Sequence, residues 1–222
     1  MPQANIEWTA GQLRALDRSR EFFKYKDYFD CMMINGHAGT GKTTLLIEMA
    51  KQFGQPHVIT PTGRAALRVR EATGLYAETL HRWMYEAKTD LVTKEIIFTI
   101  RENIYRPSSG WIAIDEYSML NFRTFSIIVE LCRSKQLKIV LIGDSFQLEP
   151  VGDSSITPEA VFHGKSNIVE LDEVVRQAKE SPVIRAASEI RAGNREKGLN
   201  HLKHIPKAKL IETAAKVLER RG

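Results

Sequence analysis

The sequence has little cysteine and no long apolar run. Only Cys31 and Cys132 occur among its 222 residues. Because each stands in an apolar context, buried reduced thiols are expected rather than a disulfide. No apolar run approaches the roughly 18 residues that a membrane span needs. The first residues, Met1–Asn5, do not resemble the start of a signal peptide. These absences predict a cytoplasmic protein without a membrane partner.

The absence of known catalytic and metal-binding residue sets, together with the overall composition, excludes further classes of function. No Ser-His-Asp or Cys-His set stands out, so nothing indicates a nucleophilic hydrolase. The spacing of His201 and His204 can hold a metal, but no third ligand is near them in the sequence, so no zinc site is predicted. A hydrophobic content of 43% with 27% charged residues indicates a globular domain, and a formal net charge of +5 suits an anionic partner without identifying one.

The segment Gly36–Thr43 has the glycine and lysine spacing of a phosphate-binding loop. An apolar run before it predicts a buried strand, and helical spacing follows it, which is the context that such a loop needs. Its glycines let backbone N–H groups approach phosphate oxygens. Lys42 is predicted to contact the β- and γ-phosphates of ATP, and the Thr43 hydroxyl to bind Mg²⁺. The predicted nucleotide-binding residues of this segment are Gly36, His37, Ala38, Gly39, Thr40, Gly41, Lys42, Thr43 and Thr44.

Two adjacent carboxylates follow the apolar strand pattern Trp111–Ile114. Asp115 and Glu116 should point in different directions, because successive side chains of a strand alternate. Asp115 is predicted to hold Mg²⁺, and Glu116 to orient and deprotonate an attacking water. Solvated loop carboxylates are the alternative, but the phosphate loop upstream favours the catalytic interpretation.

A second anion-binding segment follows the strand pattern His57–Thr60. Thr60 as cap and Pro61 at the first helical position predict the start of a helix. Arg64 lies beside that start, where a nucleic-acid phosphate would fit. A capped basic surface helix is the alternative. Further along, aromatic and basic residues mix around Trp83, which either stacks on bases or belongs to the core.

The order of the predicted elements indicates an α/β fold. Strand patterns at 31–34, 57–60, 111–114 and 137–142 alternate with helical patterns, which predicts a parallel sheet flanked by helices. Ligands of such sheets bind beyond the carboxyl ends of the strands. The loops after the first, third and fourth of these strands are therefore expected to converge. Between about residues 86 and 110, strand propensity around a turn predicts a small inserted hairpin.

Six segments of the chain resemble the helicase motifs of superfamily 1, in the order in which those motifs occur, and the chain is similar to the RecD/Dda branch. The resemblance runs from about Gln12 to Gly193, and Gly-Asp-x-x-Gln-Leu-x-Pro-Val after a strand is its most specific part. Tyr117 departs from the pattern, since relatives usually have a small residue there. The matching segments are Gly36–Thr43, Thr60–Ala66, Thr79–Trp83, Asp115–Met119, Gly143–Gly152 and Leu171–Gln177.

The resemblance implies a RecA-like P-loop NTPase fold and an ATP-dependent helicase that moves on single-stranded DNA, 5′ to 3′. It implies that Gln12 reads adenine and that Gln147 senses the γ-phosphate and links it to the DNA site. Arg176 would act as an arginine finger that stabilises transition-state charge. The implied catalytic residues are Lys42, Glu116, Gln147 and Arg176. The residues that match single-strand contacts are Thr62, Arg64, Thr79, His81 and Trp83.

The resemblance also predicts the domain organisation. Residues 1–193 form the ATPase lobe, with the insertion at about 86–110 where relatives carry a strand-separating pin, and residues 194–222 form a helical segment. Nothing after Arg191 resembles a second RecA-like lobe. The chain is therefore expected to be the N-terminal motor lobe, which binds nucleotide but translocates poorly until a second lobe, in the same longer chain or another protein, completes it.

Two other functions remain open at this stage. One is a P-loop ATPase that acts as a loader or switch without moving on DNA, which single-stranded DNA should not stimulate. The other is a non-catalytic nucleic-acid-binding module. The complete set Lys42, Asp115, Glu116 and Gln147 argues against it, and ATP binding that is lost in Lys42→Ala would argue against it further.

Overall fold

The computed structural model describes residues 7–25, 31–101, 103–144, 167–175 and 182–203. Gln147, Arg176 and His204 lie outside these ranges, so the structure does not test the predictions made for them. The described residues form two compact units. The first contains the residues up to Asp172 apart from Ala38–Thr40, and the second contains Ala38–Thr40 and the residues that follow Asp172.

The first unit is built on a parallel sheet. The strands of the described residues are β1 (Cys31–Gly36), β2 (His57–Thr60), β3 (Ala77–Thr79), β4 (Tyr85–Thr89), β5 (Ile96–Ile100), β6 (Trp111–Asp115), β7 (Lys138–Gly143) and β8 (Ile168–Leu171). Six of them form one sheet in the order β3-β2-β6-β7-β1-β8, with every neighbouring pair parallel. The predicted α/β class and parallel sheet are thereby confirmed.

Helices cover both faces of this sheet. They are α1 (Ala10–Lys24), α2 (Lys42–Phe53), α3 (Gly63–Thr73), α4 (Leu80–Met84) and α5 (Phe122–Ser134). The second unit contains two further helices, α6 (Pro182–Arg191) and α7 (Arg195–Leu202). None of the helices in the described ranges combines the length and the apolar character needed to cross a membrane.

Two hydrophobic clusters, one on each face, fix the register of the strands. On β1, Met32 and Ile34 belong to one cluster of buried residues and Met33 to the other. The first cluster includes residues of α1, α2 and α3, and the second includes residues of α4 and α5. A slip of one residue would exchange the two faces of a strand, so burial on both sides specifies the pairing strongly.

The register brings the carboxyl ends of β6, β7 and β1 to one edge. Asp115 is aligned with Ile142, and Asn35 is aligned with Gly143. Because β7 lies between β6 and β1, the acidic pair and the phosphate loop leave the sheet at the same edge. The predicted convergence is confirmed for these two segments, while the segment after β7 is described only as far as Asp144.

The helical pattern of residues 118–133 in the sequence predicts one helix after the acidic pair, and the structure differs from this prediction. A short 3-10 turn at Tyr117–Met119 comes first, Leu120 is extended, and α5 begins only at Phe122. Asn121 caps α5, because its side-chain oxygen accepts the N–H of Thr124 at 2.8 Å. The extended backbone of Leu120 and Asn121 separates the turn from α5 and so interrupts a continuous helix.

The start of α3 also differs from its prediction. Thr60 still belongs to β2, where it pairs with Thr79, and it therefore cannot cap a helix. The cap is Thr62, whose side chain accepts the N–H of Ala65 at 3.2 Å, and Pro61 lies before the cap. Helix α3 thus begins two residues later than the Thr60 and Pro61 pattern indicates.

Strands β4 and β5 form the predicted hairpin. They pair antiparallel from Tyr85 with Ile100 to Thr89 with Ile96. At the turn between them, Asp90 accepts the N–H groups of Val92 and Thr93 at 2.8 and 2.9 Å. These hydrogen bonds lower the pKa of the Asp90 carboxyl. Several of the hairpin's apolar side chains are exposed to solvent, among them Leu91, Val92, Ile96 and Phe98.

Within the second unit, α6 and α7 pack closely at a glycine. A Cβ added to Gly198 would lie 2.6 Å from Ile190 Cγ1 and 2.8 Å from the carbonyl oxygen of Ala186. No larger residue fits at this position without a shift of one helix against the other.

Candidate functional site

The phosphate loop joins β1 to α2 through two residues in left-handed backbone conformations. Gly39 has φ 87° and Gly41 has φ 80°, values that cost little only for glycine. Gly41 is also the N-cap of α2, and its carbonyl accepts the first helical bond from the N–H of Leu45 at 2.9 Å. The positive end of the α2 dipole therefore faces the loop, as anion binding requires.

Lys42 is the first residue of α2, and its ammonium group folds back over the strand end. Nζ donates to the carbonyl oxygen of Gly36 and, at 3.1 Å, to that of His37. These acceptors are neutral backbone carbonyls. Phosphate oxygens carry charge and are stronger acceptors, so a triphosphate in the loop would compete well for the same ammonium group.

The acidic pair lies at the end of β6, as predicted. Burial, and then the neighbouring Glu116 carboxylate, raise the pKa of the Asp115 carboxyl from its ordinary value to about 6. The N–H of Glu116 donates to Asp115 Oδ1 at 3.0 Å, and this bond, with the positive charges of Lys42 and Arg68, acts in the opposite direction. Asp115 is thus a partly buried carboxyl in a site that favours an added positive charge.

The side-chain oxygen atoms of Asp115 and Thr43 are of the kind that binds a magnesium ion. Asp115 offers carboxylate oxygens at the sheet edge, and Thr43 is the second residue of α2, beside Lys42. Carboxylate and hydroxyl oxygens are the protein ligands that Mg²⁺ takes beside phosphate oxygens. Bringing a dication next to Asp115 would relieve the electrostatic cost that raises its pKa. In the described part of the chain, no cluster of three or more His, Cys, Asp or Glu side chains offers a separate metal site.

Glu116 has an ion-pair partner that sequence reasoning missed. Arg68 Nη2 lies 2.8 Å from Glu116 Oε1, although the two residues are far apart in the sequence. Glu116 itself adopts a left-handed backbone with φ 58°, an unusual conformation for a residue with a side chain and one that often marks functional positions. The sequence feature that could have indicated a role for Arg68 is its position one helical turn after Arg64, which places both side chains on one side of α3.

Gln12 is buried and takes part in the capping of α1. Its side-chain oxygen accepts the N–H of Thr9 at 3.0 Å, and its own N–H donates to the Thr9 hydroxyl at 3.2 Å. Thr9 stands directly before a helical pattern in the sequence, which predicts a cap. The structure confirms this cap, in the reciprocal form known as a capping box. Because Gln12 is only 1% exposed, a purine could reach its amide only after local rearrangement. The predicted adenine contact stays a prediction.

The predicted single-strand contacts Thr62 and Thr79 lie near each other. Thr62 follows β2, Thr79 ends β3, and these two strands are neighbours. A Cβ added to Gly63, next to Thr62, would lie 3.9 Å from Thr79 Cγ2. Each threonine caps the helix that follows it: Thr62 accepts from the N–H of Ala65, and Thr79 from the N–H of Arg82. Both hydroxyls can still donate. Arg64 is exposed and lies in the first turn of α3, two residues after Thr62.

His81 and Trp83 differ sharply, although both were predicted to contact DNA. The His81 ring is exposed and lies 4.8 Å from the Tyr85 ring and 6.3 Å from the Phe98 ring, which connects it to the hairpin. Trp83 is 2% exposed and belongs to the core. A buried indole cannot stack on a base, so Trp83 is removed from the proposed DNA surface, and Tyr85 and Phe98 are the aromatic residues that the sequence did not single out.

Tyr117, the departure from the helicase pattern, is buried beneath the strand ends. Its hydroxyl donates to Asn35 Oδ1 at 3.3 Å. Asn35 Nδ2 in turn donates to both carboxylate oxygens of Glu170, at 3.1 and 2.9 Å. The large side chain therefore has a defined place in the packing, linking the acidic segment to β1 and β8.

Arg176, the predicted arginine finger, directly follows Val175, whose backbone is hydrogen-bonded to the phosphate loop. Within the second unit, the N–H of Val175 donates to the carbonyl oxygen of Gly39 at 3.0 Å. Val175 immediately precedes Arg176, which lies outside the described residues, as does Gln147. The roles predicted for Arg176 and Gln147 therefore stay predictions.

A cavity of about 540 Å³ lies elsewhere, at the amino ends of β2, β3 and β6. It is lined by Gln55, Pro56, His57, Tyr76, Glu78, Tyr105, Pro107 and Ser108. His57 Nε2 is 2.8 Å from Glu78 Oε1, and the rings of Tyr76 and Tyr105 approach the imidazole at 4.9 and 5.3 Å. Parallel sheets bind ligands at the opposite, carboxyl edge, so this cavity is distinct from the phosphate loop.

Comparison with known proteins identifies the family. The family model AAA_30, described as an AAA domain, matches residues 10–213. The chain is 29% identical to the ATP-dependent RecD2 DNA helicase of Deinococcus radiodurans, over 70% of this chain and 21% of that protein. It is 31% identical to the ATP-dependent DNA helicase dda of Enterobacteria phage T4, over 83% of this chain and 43% of that protein.

The fold has close counterparts among solved structures. Bacteroides Pif1 bound to ssDNA superposes with a TM-score of 0.57 at 20% identity, over 96% of this chain and 56% of that one. At this identity the similarity shows the fold alone, which is the RecA-like arrangement of a P-loop NTPase. The chain spans less than half the length of the two helicases to which its sequence was compared. The chain thus belongs to the AAA domain family, in the branch of superfamily 1 helicases that includes RecD, Dda and Pif1.

Proposed function

We propose that this chain is the ATP-binding N-terminal motor lobe of an ATP-dependent DNA helicase that moves on single-stranded DNA in the 5′ to 3′ direction in the cytoplasm. One observation carries the proposal: the phosphate loop with Lys42, the acidic pair and the capped start of α3 all lie at the carboxyl edge of one parallel sheet. A nucleotide site and a DNA-phosphate site on one rigid edge are what a motor needs to couple hydrolysis to movement.

Each residue of the nucleotide site has a chemical task in this proposal. The Lys42 ammonium leaves the carbonyls of Gly36 and His37 and binds the β- and γ-phosphates, where it offsets negative charge. Glu116 accepts a proton from water as the water oxygen attacks the γ-phosphorus. The bond between that phosphorus and the bridging oxygen breaks, and ADP leaves. The loop N–H groups hold the phosphate oxygens in line for this displacement.

The remaining nucleotide contacts are proposed from the helicase resemblance together with their surroundings. Thr43 and Asp115 hold Mg²⁺, which neutralises charge on the phosphate oxygens when it is bound. Gln147 senses the γ-phosphate, and Arg176 stabilises transition-state charge. Support for Arg176 comes from its chain neighbour Val175, which is hydrogen-bonded to Gly39 of the phosphate loop. Gln12 reads adenine after its amide is released from Thr9.

Single-stranded DNA is the proposed track. Thr62, Arg64 and Thr79 would hold backbone phosphates, since hydroxyl groups and guanidinium groups are the usual phosphate donors. The exposed His81 ring, with Tyr85 and Phe98 of the hairpin beside it, would stack on bases. The hairpin then lies next to the track, where a strand-separating pin would be placed.

A second RecA-like lobe is part of the proposal. The chain spans 21% and 43% of the RecD2 and dda helicases, and a motor of this type moves by opening and closing two lobes. The second lobe would belong either to the same longer chain or to another protein.

The test is ATP hydrolysis by the assembled two-lobe protein, measured with and without oligothymidylate. We expect single-stranded DNA to stimulate hydrolysis, and Glu116→Gln to slow it by at least ~10²-fold while ATP binding is retained. Glu130→Gln, on α5 away from the sheet edge, is the matched control and should change neither property.

The outcomes separate the alternatives. Hydrolysis that does not respond to DNA would indicate a loader or switch ATPase instead of a translocating motor. An unchanged rate in Glu116→Gln would overturn the assignment of the general base. The absence of ATP binding would leave a nucleic-acid-binding module.

A further inference from the structure

The ion pair between Arg68 and Glu116 joins two segments that the proposed function assigns to different ligands. Arg68 lies on α3, whose first turn carries the proposed DNA contacts, and Glu116 is the proposed general base. Arg68 Nη2 and Glu116 Oε1 are 2.8 Å apart, with 44% and 22% of the two side chains exposed. The pair is therefore accessible to solvent and to a competing anion.

The carboxylate of Glu116 is held from two directions. Its backbone is in the left-handed region at φ 58°, with the N–H bonded to Asp115 Oδ1 at 3.0 Å. At the other end, the guanidinium of Arg68 fixes Oε1. A carboxylate engaged by a guanidinium is oriented by that group, and its paired oxygen is occupied by the N–H of the arginine.

Helix α3 places Arg68 within reach of bound DNA. Arg64 and Arg68 are four residues apart, so their side chains are neighbours on one helical face. A phosphate bound at the capped start of α3 lies about one helical turn, roughly 5.4 Å along the axis, from Arg68. An arginine side chain is long enough to cover this distance, and a phosphate is at least as good an acceptor for it as a carboxylate.

We infer that Arg68 is a positioning residue that restrains Glu116 while the DNA site is empty, and that a phosphate of single-stranded DNA draws the guanidinium away and releases the base. This inference rests on the proposed function. It explains how DNA at α3 can regulate hydrolysis at β6 without movement of the sheet between them. Linkage requires the reverse effect as well: breaking the ion pair from the Glu116 side must strengthen DNA binding.

The experiment is a double-mutant cycle on DNA affinity, which does not depend on hydrolysis. The affinity of the nucleotide-free chain for fluorescein-labelled oligothymidylate is measured by anisotropy at fixed salt. Glu116→Gln should tighten binding about 2- to 5-fold, the factor that corresponds to one partly exposed ion pair. In the Arg68→Ala background the same substitution should change the affinity less than about 1.5-fold. Arg68→Lys, which keeps the charge, should restore part of the coupling.

A matched control separates the ion pair from general charge effects. Glu71→Gln removes one negative charge from an exposed position of the same helix, and its effect should be the same in the unsubstituted chain and in the Arg68→Ala background. Circular dichroism of each variant checks that the fold is kept. In the two-lobe assembly, Arg68→Ala should raise hydrolysis in the absence of DNA and lower the ratio by which DNA stimulates it.

The results distinguish the two levels of the proposal. Equal effects of Glu116→Gln in both backgrounds would overturn the inference about Arg68 and leave the proposed function intact. Failure of the unsubstituted chain to bind the oligonucleotide would overturn the proposed DNA track, and the inference with it.

Discussion

The ring of Tyr117 lies against the backbone of Gly143, so closely that a Cβ added to Gly143 would be 2.6 Å from Tyr117 Cδ1 and 2.9 Å from Cε1. Tyr117 is 1% exposed and reaches across the end of β7 to Asn35 on β1. The large Tyr117 ring fits at this position because the facing position on β7 has no side chain. The large Tyr117 ring therefore requires glycine at position 143.

We expect Gly143→Ala to lower the free energy of unfolding by about 1 to 3 kcal/mol, the usual cost of overpacking a core. Denaturant unfolding followed by tryptophan fluorescence measures this. Gly63→Ala is the control, because a Cβ there meets nothing closer than Thr79 Cγ2 at 3.9 Å. Equal stability of Gly143→Ala and the unsubstituted chain would contradict the proposed packing of Tyr117.

The buried imidazole of His57 predicts a loss of stability in acid. Burial lowers the pKa of His57 below its ordinary value of 6.5, and the Glu78 carboxylate offsets this only in part. Below about pH 6.5 the unfolded chain therefore binds a proton that the folded chain does not, so stability falls as the pH falls. In His57→Gln the fall in Tm between pH 7 and pH 5 should be smaller.

The comparison for this prediction is His81→Gln, which removes an exposed imidazole. Its pH profile should keep the steeper slope of the unsubstituted chain. If Tm decreased equally between pH 7 and pH 5 in His57→Gln and in the unsubstituted chain, the acid sensitivity would have to come from other groups.

Arg64 is expected to contribute to DNA affinity through a phosphate contact. Arg64→Ala should weaken binding to oligothymidylate and lower the slope of log K against log salt concentration by about 1, while ATP binding is unchanged. Anisotropy titrations at several salt concentrations give both quantities. Arg70→Ala, at an exposed position in the last turn of the same helix, should leave the slope closer to its original value. An unaltered affinity in Arg64→Ala would remove α3 from the proposed track.

Sequence patterns predicted the parts of the fold in which local chemistry and burial agree. The strands β1, β2, β6 and β7 are apolar runs, and β1, β2 and β7 are buried along their whole length. The phosphate loop is recognisable because the spacing of its glycines and lysine is imposed by backbone geometry. The hairpin was predictable from its turn at Asp90, where the side chain accepts two backbone N–H groups.

Short strands and helix starts were less predictable. β3 has three residues and β8 has four, too few for a periodic pattern to be distinctive. The shift of the α3 start from Thr60 to Thr62 arises because Thr60 pairs with Thr79 in the sheet. A local capping pattern in the sequence does not show which residues pair in the sheet. It does not show the 3-10 turn after Glu116 either.

In the site, the residues on strand ends were predictable and their partners were not. Lys42, Asp115 and Glu116 follow from motif spacing, whereas the contact of Glu116 with Arg68 depends on how α3 is placed against β6. The burial of Trp83 likewise depends on the packing of α4 against the sheet, which composition alone left open. Long-range contacts of this kind are fixed by topology and not by neighbouring residues.

The most direct test of the nucleotide site is calorimetric titration of the chain with MgATP. We expect saturable binding that Lys42→Ala weakens at least ~10-fold, because one charged contact with the phosphates is lost. Lys51→Ala, in the last turn of the same helix and paired with Glu48, should bind as tightly as the unsubstituted chain. Equal affinity of Lys42→Ala and the unsubstituted chain would contradict the claim that this sheet edge binds a triphosphate.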